Sequence, residues 1–392
     1  MTAKRPALTV LALNSGSSSL KFGLYRATHP AVETLFSGRA ESIGAASGEF
    51  RVRDAQGRVV LSETLPLRDQ RDACARVVRL FDSPDLPAPE AVGHRVVHGG
   101  IHLRRHCVID DDVMRKLEAA ASFAPLHVPM ALSTIRLVQG AFPRLTQVAC
   151  FDTAFHAGMP DVARTLPLPG EWRAEGVQRF GFHGLSCESI LHRLGRRVPS
   201  RLVIAHLGSG ASVTAVKDGS SVDNSMGMTP SGGVMMATRC GDIDPGVLAY
   251  LVREKKFDAP ALEDLIDHRS GMLGVSAVSG DLRRLREVAA SNADARLAIG
   301  MFTYSVRKQV AAMAAVLGGL ELLVFTGGIG QHDAAARAEI CDGLAWCGIA
   351  LDARRNRESV DPVSRPGSPC AVRVLASEEE VQIARHVRGL VA

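Results

Sequence analysis

Two glycine- and serine-rich hairpins, roughly half a chain apart, are the feature that most constrains how this sequence can fold. The first occupies residues 8–25 and turns at Asn14–Ser19; the second occupies 201–217 and turns at Gly208–Ser212. Apolar runs on either side of each small-residue turn predict strand–turn–strand units. Because the two hairpins can be aligned on their serines, we interpret the chain as a duplicated domain with one hairpin in each half.

The remaining pattern alternates strands with helices, which favours the α/β class. Apolar residues spaced three and four apart predict a helix that ends at Leu317, before the pair Gly318-Gly319. The acidic run Glu378–Glu380 predicts the start of a last helix. A third glycine-rich turn is predicted at 326–330. Further buried strands are predicted at 93–98, 147–151 and 322–325.

Composition narrows the functional classes. Hydrophobic residues make up 46% of the 392 residues, which is enough for large cores and excludes disorder. The net charge of +5 is mild and aromatic residues are only 5%, so nucleic-acid binding is disfavoured. The eight cysteines are scattered, which predicts free thiols in a reducing compartment and argues against zinc. No membrane span or signal peptide is expected, so we predict a cytoplasmic protein.

The small-residue turns are the first indication of phosphate chemistry. Glycine and serine let several backbone N–H groups approach one phosphate, and Asn14 and Lys21 flank the first turn. A single turn of this kind is more often only a tight turn, but three of them make that explanation weaker. None matches the Walker loop or the dinucleotide fingerprint, so a different scaffold is required.

Five longer segments make the chain recognisable. They occur in family order over nearly the whole chain and resemble the signature segments of the acetate kinases. The segments are LNSGSSSLK at 13–21, GHRVVHGG at 93–100, FDTAFH at 151–156, FGFHG at 180–184 and TRCGDIDP at 238–245.

The resemblance implies a fold of duplicated actin-like (ribonuclease H-like) α/β domains with a cleft between them. It predicts a first domain of residues 1–152 completed by about 380–392, and a second domain of 153–379. It implies reversible transfer of the γ-phosphoryl of ATP to acetate, with Mg²⁺, or Mn²⁺ as a substitute, and a homodimer. The alternatives are a propionate or butyrate kinase on the same scaffold and, from another class, a non-catalytic nucleotide-gated protein of the Hsp70 or actin kind.

The resemblance also implies the chemical roles. Arg95 and Arg239 hold the carboxylate and the phosphoryl oxygens, because planar guanidinium forks suit both. His183 stabilises the transferring phosphoryl, and Asp152 organises the site through an arginine or a metal-bound water. The implied magnesium pair is Asn14 and Glu379, with Glu380 as the neighbouring candidate. Each of these residues alone has a plainer structural explanation, such as a surface ion pair or a helix N-terminal charge.

Binding residues follow by the same resemblance. Substrate binding is assigned to Arg95, Val97, Leu126, His127, Phe182 and Pro230. Of these, the apolar Val97, Leu126, Phe182 and Pro230 form the implied acyl pocket, and His127 has a supporting role. Nucleotide binding is assigned to Ser17, Ser19, Lys21, His206, Leu207, Gly208, Ser209, Gly210, Asp281, Leu282, Arg283, Gly328, Ile329, Gly330, Gln331 and His332. The sequence departs from the family pattern at Ser209, at Gln331-His332, at Val128 and at Ser231-Gly232. The backbone-mediated phosphate contacts should survive, because the glycines remain. Since Val97 is bulky, acetate is predicted as the first substrate and propionate as the second.

Overall fold

The computed structural model describes residues 7–16, 18–83, 86–125 and 127–391. It divides into two compact units. The first comprises Met1–Ala157, Gly184–Ser189 and Glu378–Ala392, and the second comprises Gly158–His183 and Ile190–Ser377. The domain boundaries predicted from the sequence, at residue 152 and at about residue 380, remain a prediction.

The first unit is built on a mixed sheet. Its strands are β1 (Leu8–Ser15), β2 (Leu20–Ala27), β3 (Val32–Glu41), β4 (Gly48–Asp54), β5 (Val59–Leu65), β6 (Ala91–Val96), β7 (Cys107–Val108) and β8 (Thr146–Phe151), in the order β5-β4-β3-β2-β1-β6-β8-β7. Strands β1, β2 and β3 are antiparallel neighbours, whereas β1, β6 and β8 run parallel. The helices between them are α1 (Gln70–Arg79), α2 (Asp111–Ala119) and α3 (Val128–Ala141).

The second unit repeats this connectivity. Its strands are β9 (Arg201–Leu207), β10 (Ala211–Lys217), β11 (Ser220–Asn224), β12 (Leu322–Thr326) and β13 (Ala371–Val374), in the order β11-β10-β9-β12-β13. The first three are antiparallel, and β9, β12 and β13 are parallel. Each unit therefore has an antiparallel hairpin followed outward by parallel strands, as the predicted duplication requires.

The helices after β8 complete the chain. They are α4 (Asp161–Arg164), α5 (Gly170–Ala174), α6 (Gly184–Leu194), α7 (Pro245–Lys255), α8 (Ala259–His268), α9 (Gly271–Ser276), α10 (Leu282–Val288), α11 (Ala293–Leu317), α12 (Gly327–His332), α13 (Ala334–Cys341), α14 (Ala353–Glu358) and α15 (Glu379–Val391). The predicted helix before Gly318 is α11, which ends there because Gly318 adopts a left-handed conformation with φ of +69°. None of the described helices is both long and apolar enough to cross a bilayer.

One prediction about local structure is wrong. The segment 326–330 was expected to be a glycine-rich turn, but Gly327 begins the short helix α12 immediately after β12. The positive φ of Gly327, +77°, makes the sharp change of direction from strand to helix. A turn and a first helical turn have the same glycine-rich composition, so the sequence pattern does not separate them.

Helix α15 packs on the face of the first sheet that includes Val10, Tyr25 and Cys150. A side chain at Gly93 of β6 would lie 2.3 Å from Ile383 of α15, so only glycine allows this close approach. The C-terminal helix is therefore part of the first unit, and its first residues, Glu379 and Glu380, lie near the end of β1.

Candidate active site

In the first unit, the candidates Arg95 and Asp152 come from neighbouring parallel strands. Arg95 lies near the end of β6 and Asp152 directly follows β8, where α/β sheets expose functional groups. Nε and Nη2 of Arg95 both donate to Oδ2 of Asp152, at 2.8 and 2.5 Å. The Nη1 group donates to the carbonyl of Ser15 at 3.1 Å, so β1 also fixes the guanidinium.

This pair is desolvated. The side chain of Asp152 is 2% exposed and that of Arg95 is 15% exposed. Although burial opposes its charge, the adjacent Asp152 and Glu379 raise the pKa of Arg95 above its usual value. Burial raises the pKa of Asp152, and Arg95 acts against that rise. The Asp152 carboxylate is thus the hydrogen-bonding partner of two N–H groups of the Arg95 guanidinium.

The magnesium candidates meet at the start of α15. Nδ2 of Asn14 donates to Glu379 at 2.8 Å and to Glu380 at 2.6 Å. Lys21 lies directly across the hairpin from Asn14. Burial raises the pKa of Glu380; Lys21 lowers it and the Glu379 carboxylate raises it further.

These donors fit a hard divalent cation. The two carboxylates supply oxygen ligands, which Mg²⁺ prefers. The Asn14 amide presents its nitrogen to both of them, so its oxygen would join the ligands only after the amide turns over. The mutual repulsion of Glu379 and Glu380 makes an added cation favourable at this position. The acidic run is thus both the predicted helix start and a chemically suitable ion site.

The first glycine-rich turn depends on a residue that sequence reasoning missed. Gln70, at the start of α1, donates from its amide to the carbonyls of Gly16 and Ser19, at 2.8 and 3.1 Å. It is 6% exposed and far from the turn in sequence, and no local pattern marks it. Of the nucleotide candidates here, Lys21 is exposed and Ser19 is half-buried, whereas Ser17 lies outside the described residues.

In the second unit, His183 and Arg239 approach the same glycine. A side-chain carbon at Gly210 would lie 3.4 Å from Nη1 of Arg239 and 3.5 Å from Nε2 of His183. The turn between β9 and β10 therefore lies against both groups. This places an imidazole and a guanidinium next to the second predicted phosphate hairpin.

The conformation of His183 is specific. It has a φ of +59°, in the left-handed region that residues other than glycine seldom adopt, and it directly precedes α6. A hydrogen bond of 2.9 Å joins Nδ1 of His183 to Oγ of Ser212, and the ring stacks on His206 with centroids 4.2 Å apart. Ser212, which appeared in the repeat alignment but not among the predicted site residues, is buried and orients this ring.

The segment at α12 is held by another residue that was not predicted, Arg337. This side chain is fully buried, and its Nη1 donates to the carbonyls of Gly330 and Gln331 at 2.9 and 2.8 Å. Its remaining N–H groups donate to Asn356 and Ser359. Burial lowers the pKa of Arg337, and these acceptors compensate for the desolvation. The arginine thus fixes the end of α12.

The other nucleotide candidates divide by burial. Asp281 caps α10 by accepting from the N–H of Arg283 at 2.9 Å, and the two side chains form an exposed ion pair. Leu282 and Leu207 are buried, so their side chains belong to the core, whereas Ser209 and His332 are exposed. Gly208, Ile329 and Gln331 are half-buried, whereas Gly328 is exposed and has open space around it.

The other substrate-binding candidates belong to both units. Val97 and the half-buried His127 are in the first unit, while the buried Phe182 and Pro230 are in the second. Pro230 accepts a hydrogen bond from Arg239 through its carbonyl at 3.3 Å. Leu126 lies outside the described residues, and the pocket itself stays a prediction.

The chain is similar to known proteins over nearly its whole length. Residues 9–385 match the model of the acetokinase family. An acetate kinase of Rhodopseudomonas palustris is 41% identical over 96% of this chain and 97% of its own length, and one of Desulforamulus reducens is 38% identical over 98% and 100%.

Two solved structures are similar over nearly the entire chain. The acetate kinase of Porphyromonas gingivalis has a TM-score of 0.86, and a propionate kinase of Francisella tularensis has one of 0.90. Each is 34% identical, covering 98% of this chain and 100% of the other. These likenesses confirm the predicted duplicated actin-like α/β fold.

Proposed function

Since the chain belongs to the acetokinase family, we propose that it is an acetate kinase, a phosphotransferase whose acceptor is a carboxylate. It transfers the γ-phosphoryl of ATP to acetate, giving acetyl phosphate and ADP, and catalyses the reverse reaction. An acetate oxygen attacks the γ-phosphorus, and the bond to the β–γ bridging oxygen breaks. The observation that carries the proposal is the approach of His183 and Arg239 to Gly210 at the second phosphate hairpin.

We assign stabilisation of the transferring phosphoryl group to His183 and Arg239. Phosphoryl transfer needs positioning and positive charge more than a covalent nucleophile. Ser212 holds the His183 ring at Nδ1, and Nε2 of the same ring is the atom that lies next to Gly210. Donors that are already oriented stabilise developing charge without reorganising during the reaction.

We assign the acetate carboxylate to Arg95. Asp152 and the Ser15 carbonyl hold its guanidinium in a fixed orientation before substrate binds. A carboxylate substrate is already ionised at neutral pH, so no general base is needed to activate it. Asp152 therefore orients Arg95 rather than removing a proton.

We assign magnesium binding to Asn14 and Glu379, with Glu380 beside them. When bound, the ion neutralises charge on the nucleotide phosphates. The family membership implies an ATP/ADP co-substrate, and the fit of the oxygen donors supports the ion. The assigned nucleotide contacts are those predicted above for the three glycine-rich segments and Asp281–Arg283.

A panel of acids and nucleotides in a hydroxamate assay tests the proposal. We expect kcat/KM for acetate to exceed that for propionate, because the buried Val97 is proposed to limit the acyl pocket. One methylene is worth about 1–3 kcal/mol in such a pocket, and Val97→Ala should move the preference toward propionate by a comparable amount. A clear wild-type preference for propionate or butyrate would instead support the second candidate, which the propionate kinase structure favours. No acyl phosphate formed from any acid would refute the activity.

We also propose a homodimer formed through α7 and α8. Neither helix buries a residue in the single chain. The apolar side chains of Val247 and Tyr250 on α7 are exposed, as is that of Ile243 just before α7. A second copy is the occupant that the family resemblance implies. Light scattering is expected to give twice the chain mass for the wild type and a monomer for Val247→Glu/Tyr250→Asp; an unchanged mass for this variant would contradict the assigned face.

A cytoplasmic location completes the proposal. All eight cysteines carry free thiols, and burial raises the pKa of several of them, including Cys74 to about 12. Free thiols persist in a reducing compartment. Immunoblotting of cell fractions would test the location.

A further inference from the structure

Three side chains from separate segments meet in the first unit, outside the proposed active site. They are His106, just before β7, Glu188 of α6 and His386 of α15. One possible ligand atom from each lies within 4.8 Å of the others. Nε2 of His386 is 2.7 Å from Oε2 of Glu188, and Nε2 of His106 is 3.4 Å from Oε1. The two imidazole rings are 3.9 Å apart between centroids.

The hydrogen bonds argue against a metal centre. The backbone N–H of Phe151 donates to Nδ1 of His106 at 3.0 Å. Nδ1 is thus an acceptor, and the ring proton lies on Nε2, which faces Glu188. A metal-bound histidine needs an unprotonated coordinating nitrogen and normally donates from the other one. The cluster is therefore a carboxylate held between two imidazoles.

The carboxylate at its centre is ionised. Burial opposes the charge of Glu188, but hydrogen bonds from His106 and His386 outweigh it and lower the pKa of Glu188 to about 2. Hydrogen bonds to a charged group are stronger than those between neutral groups. Because His106 is tied to Phe151, next to Asp152, the cluster links α15 to the end of β8.

The cluster contacts the face of α15 that carries Glu379. His386 follows Glu379 by seven residues, which is two helical turns, so the two share one face. Gln382 lies between them on that face, with its amide nitrogen 3.0 Å from Nε2 of His386. The neighbour of Glu188, Ser189, accepts from the N–H of Glu378 at 2.9 Å. Helix α6 thus holds α15 at its start and again two turns later.

We propose that Glu188 is a positioning residue: through His386 it fixes the rotation of α15 and so the placement of the Glu379 carboxylate. This inference rests on the magnesium role proposed for Glu379. Glu188 touches neither nucleotide nor acid in this proposal, so its replacement should weaken the use of magnesium more than the chemical step.

The test uses the full-length protein with Glu188→Gln. Hydrogen–deuterium exchange is measured without nucleotide or metal. It is expected to become about tenfold faster across residues 379–386, which is the loss of protection expected when one charge-assisted hydrogen bond is removed. In the assay, the apparent KM for Mg²⁺ should rise about tenfold while kcat at saturating Mg²⁺ changes by less than about twofold. The variant His386→Gln, whose amide can still donate to Glu188, should retain most wild-type behaviour.

The matched control is Glu63→Gln, which removes a half-buried carboxylate paired with Arg76 at 2.6 Å elsewhere in the first unit. Its exchange across 379–386 and its Mg²⁺ dependence should match the wild type. Exchange at the wild-type rate in Glu188→Gln would overturn the positioning role. Equal changes in exchange and in Mg²⁺ dependence for Glu188→Gln and Glu63→Gln would also overturn it. Stoichiometric Zn²⁺ binding that Glu188→Gln abolishes would also overturn it, in favour of a metal centre.

A separate variant, Glu379→Gln, distinguishes a failure of the proposed magnesium role from a failure of the positioning role of Glu188. If Glu379→Gln leaves the Mg²⁺ dependence unchanged, the magnesium role of Glu379 is wrong, and with it the consequence proposed for catalysis. The exchange measurement would then still decide whether Glu188 holds α15. If Glu188→Gln does not fold, Ser189→Ala provides the milder disruption, and normal exchange at 378–382 in that variant would count against the attachment.

Discussion

The Arg239→Ala variant is expected to keep its fold and to lose about a thousandfold or more of kcat. An arginine that stabilises the charge of a transferring phosphoryl group is worth about 10³–10⁵ in rate. The segment around it is shaped by backbone hydrogen bonds, such as Met236 N–H to the Arg239 carbonyl and Asp242 N–H to the Gly233 carbonyl. Removing the guanidinium should therefore leave the loop in place. Steady-state kinetics and thermal unfolding measure the two effects.

The matched control is Arg269→Ala in the same unit, which removes an exposed guanidinium paired with Asp264. It should change kcat little, because surface ion pairs contribute little. His183→Ala should also lose kcat while ATP binding persists. If Arg239 and His183 stabilise the same charge, the fold-loss of kcat in the double variant Arg239→Ala/His183→Ala will be smaller than the product of the two single fold-losses. Near-normal turnover of Arg239→Ala would refute its assigned role.

Removing Arg95 is expected to affect stability as well as activity. In Arg95→Ala the Asp152 carboxylate, 2% exposed, loses the guanidinium that compensates its charge. Breaking one half of a buried ion pair costs about 3–5 kcal/mol in the free energy of unfolding. The pKa of Asp152, already raised by burial, should rise further. Urea unfolding followed by circular dichroism measures the loss.

The double variant Arg95→Met/Asp152→Asn separates the two effects. It removes both charges, so most of the lost stability should return, because a neutral pair carries no charge-desolvation penalty. Activity should stay low, because the acetate carboxylate has lost its guanidinium partner. Recovery of activity along with stability would show that Arg95 serves the fold alone.

Local patterns predicted the elements well, for physical reasons. The hairpins at 8–25 and 201–217, the helix ending at Leu317 and the helix starting at the acidic run all depend on neighbours in sequence. Segment 326–330 failed because strand-to-helix junctions and tight turns use the same glycines. The site residues came from motif resemblance, since a single arginine or histidine carries no local signal of its role.

What the sequence missed are contacts between residues far apart in the chain. Gln70 supports the first glycine-rich turn, Ser212 orients His183, and Arg337 fixes the end of α12. Each is an ordinary polar residue whose partners become apparent only when the chain is folded. Resemblance finds residues with family motifs, but not the polar groups that hold them.

The sequence alone determined the α/β class, the duplication and the family, because apolar periodicity, glycine placement and motif order are all written along the chain. Only the tertiary structure decided which groups are paired: Arg95 with Asp152, Asn14 with Glu379, and Glu188 with two histidines. Hydrogen bonding and desolvation depend on distance in space, and no spacing along the chain encodes that distance when its partners lie tens or hundreds of residues apart.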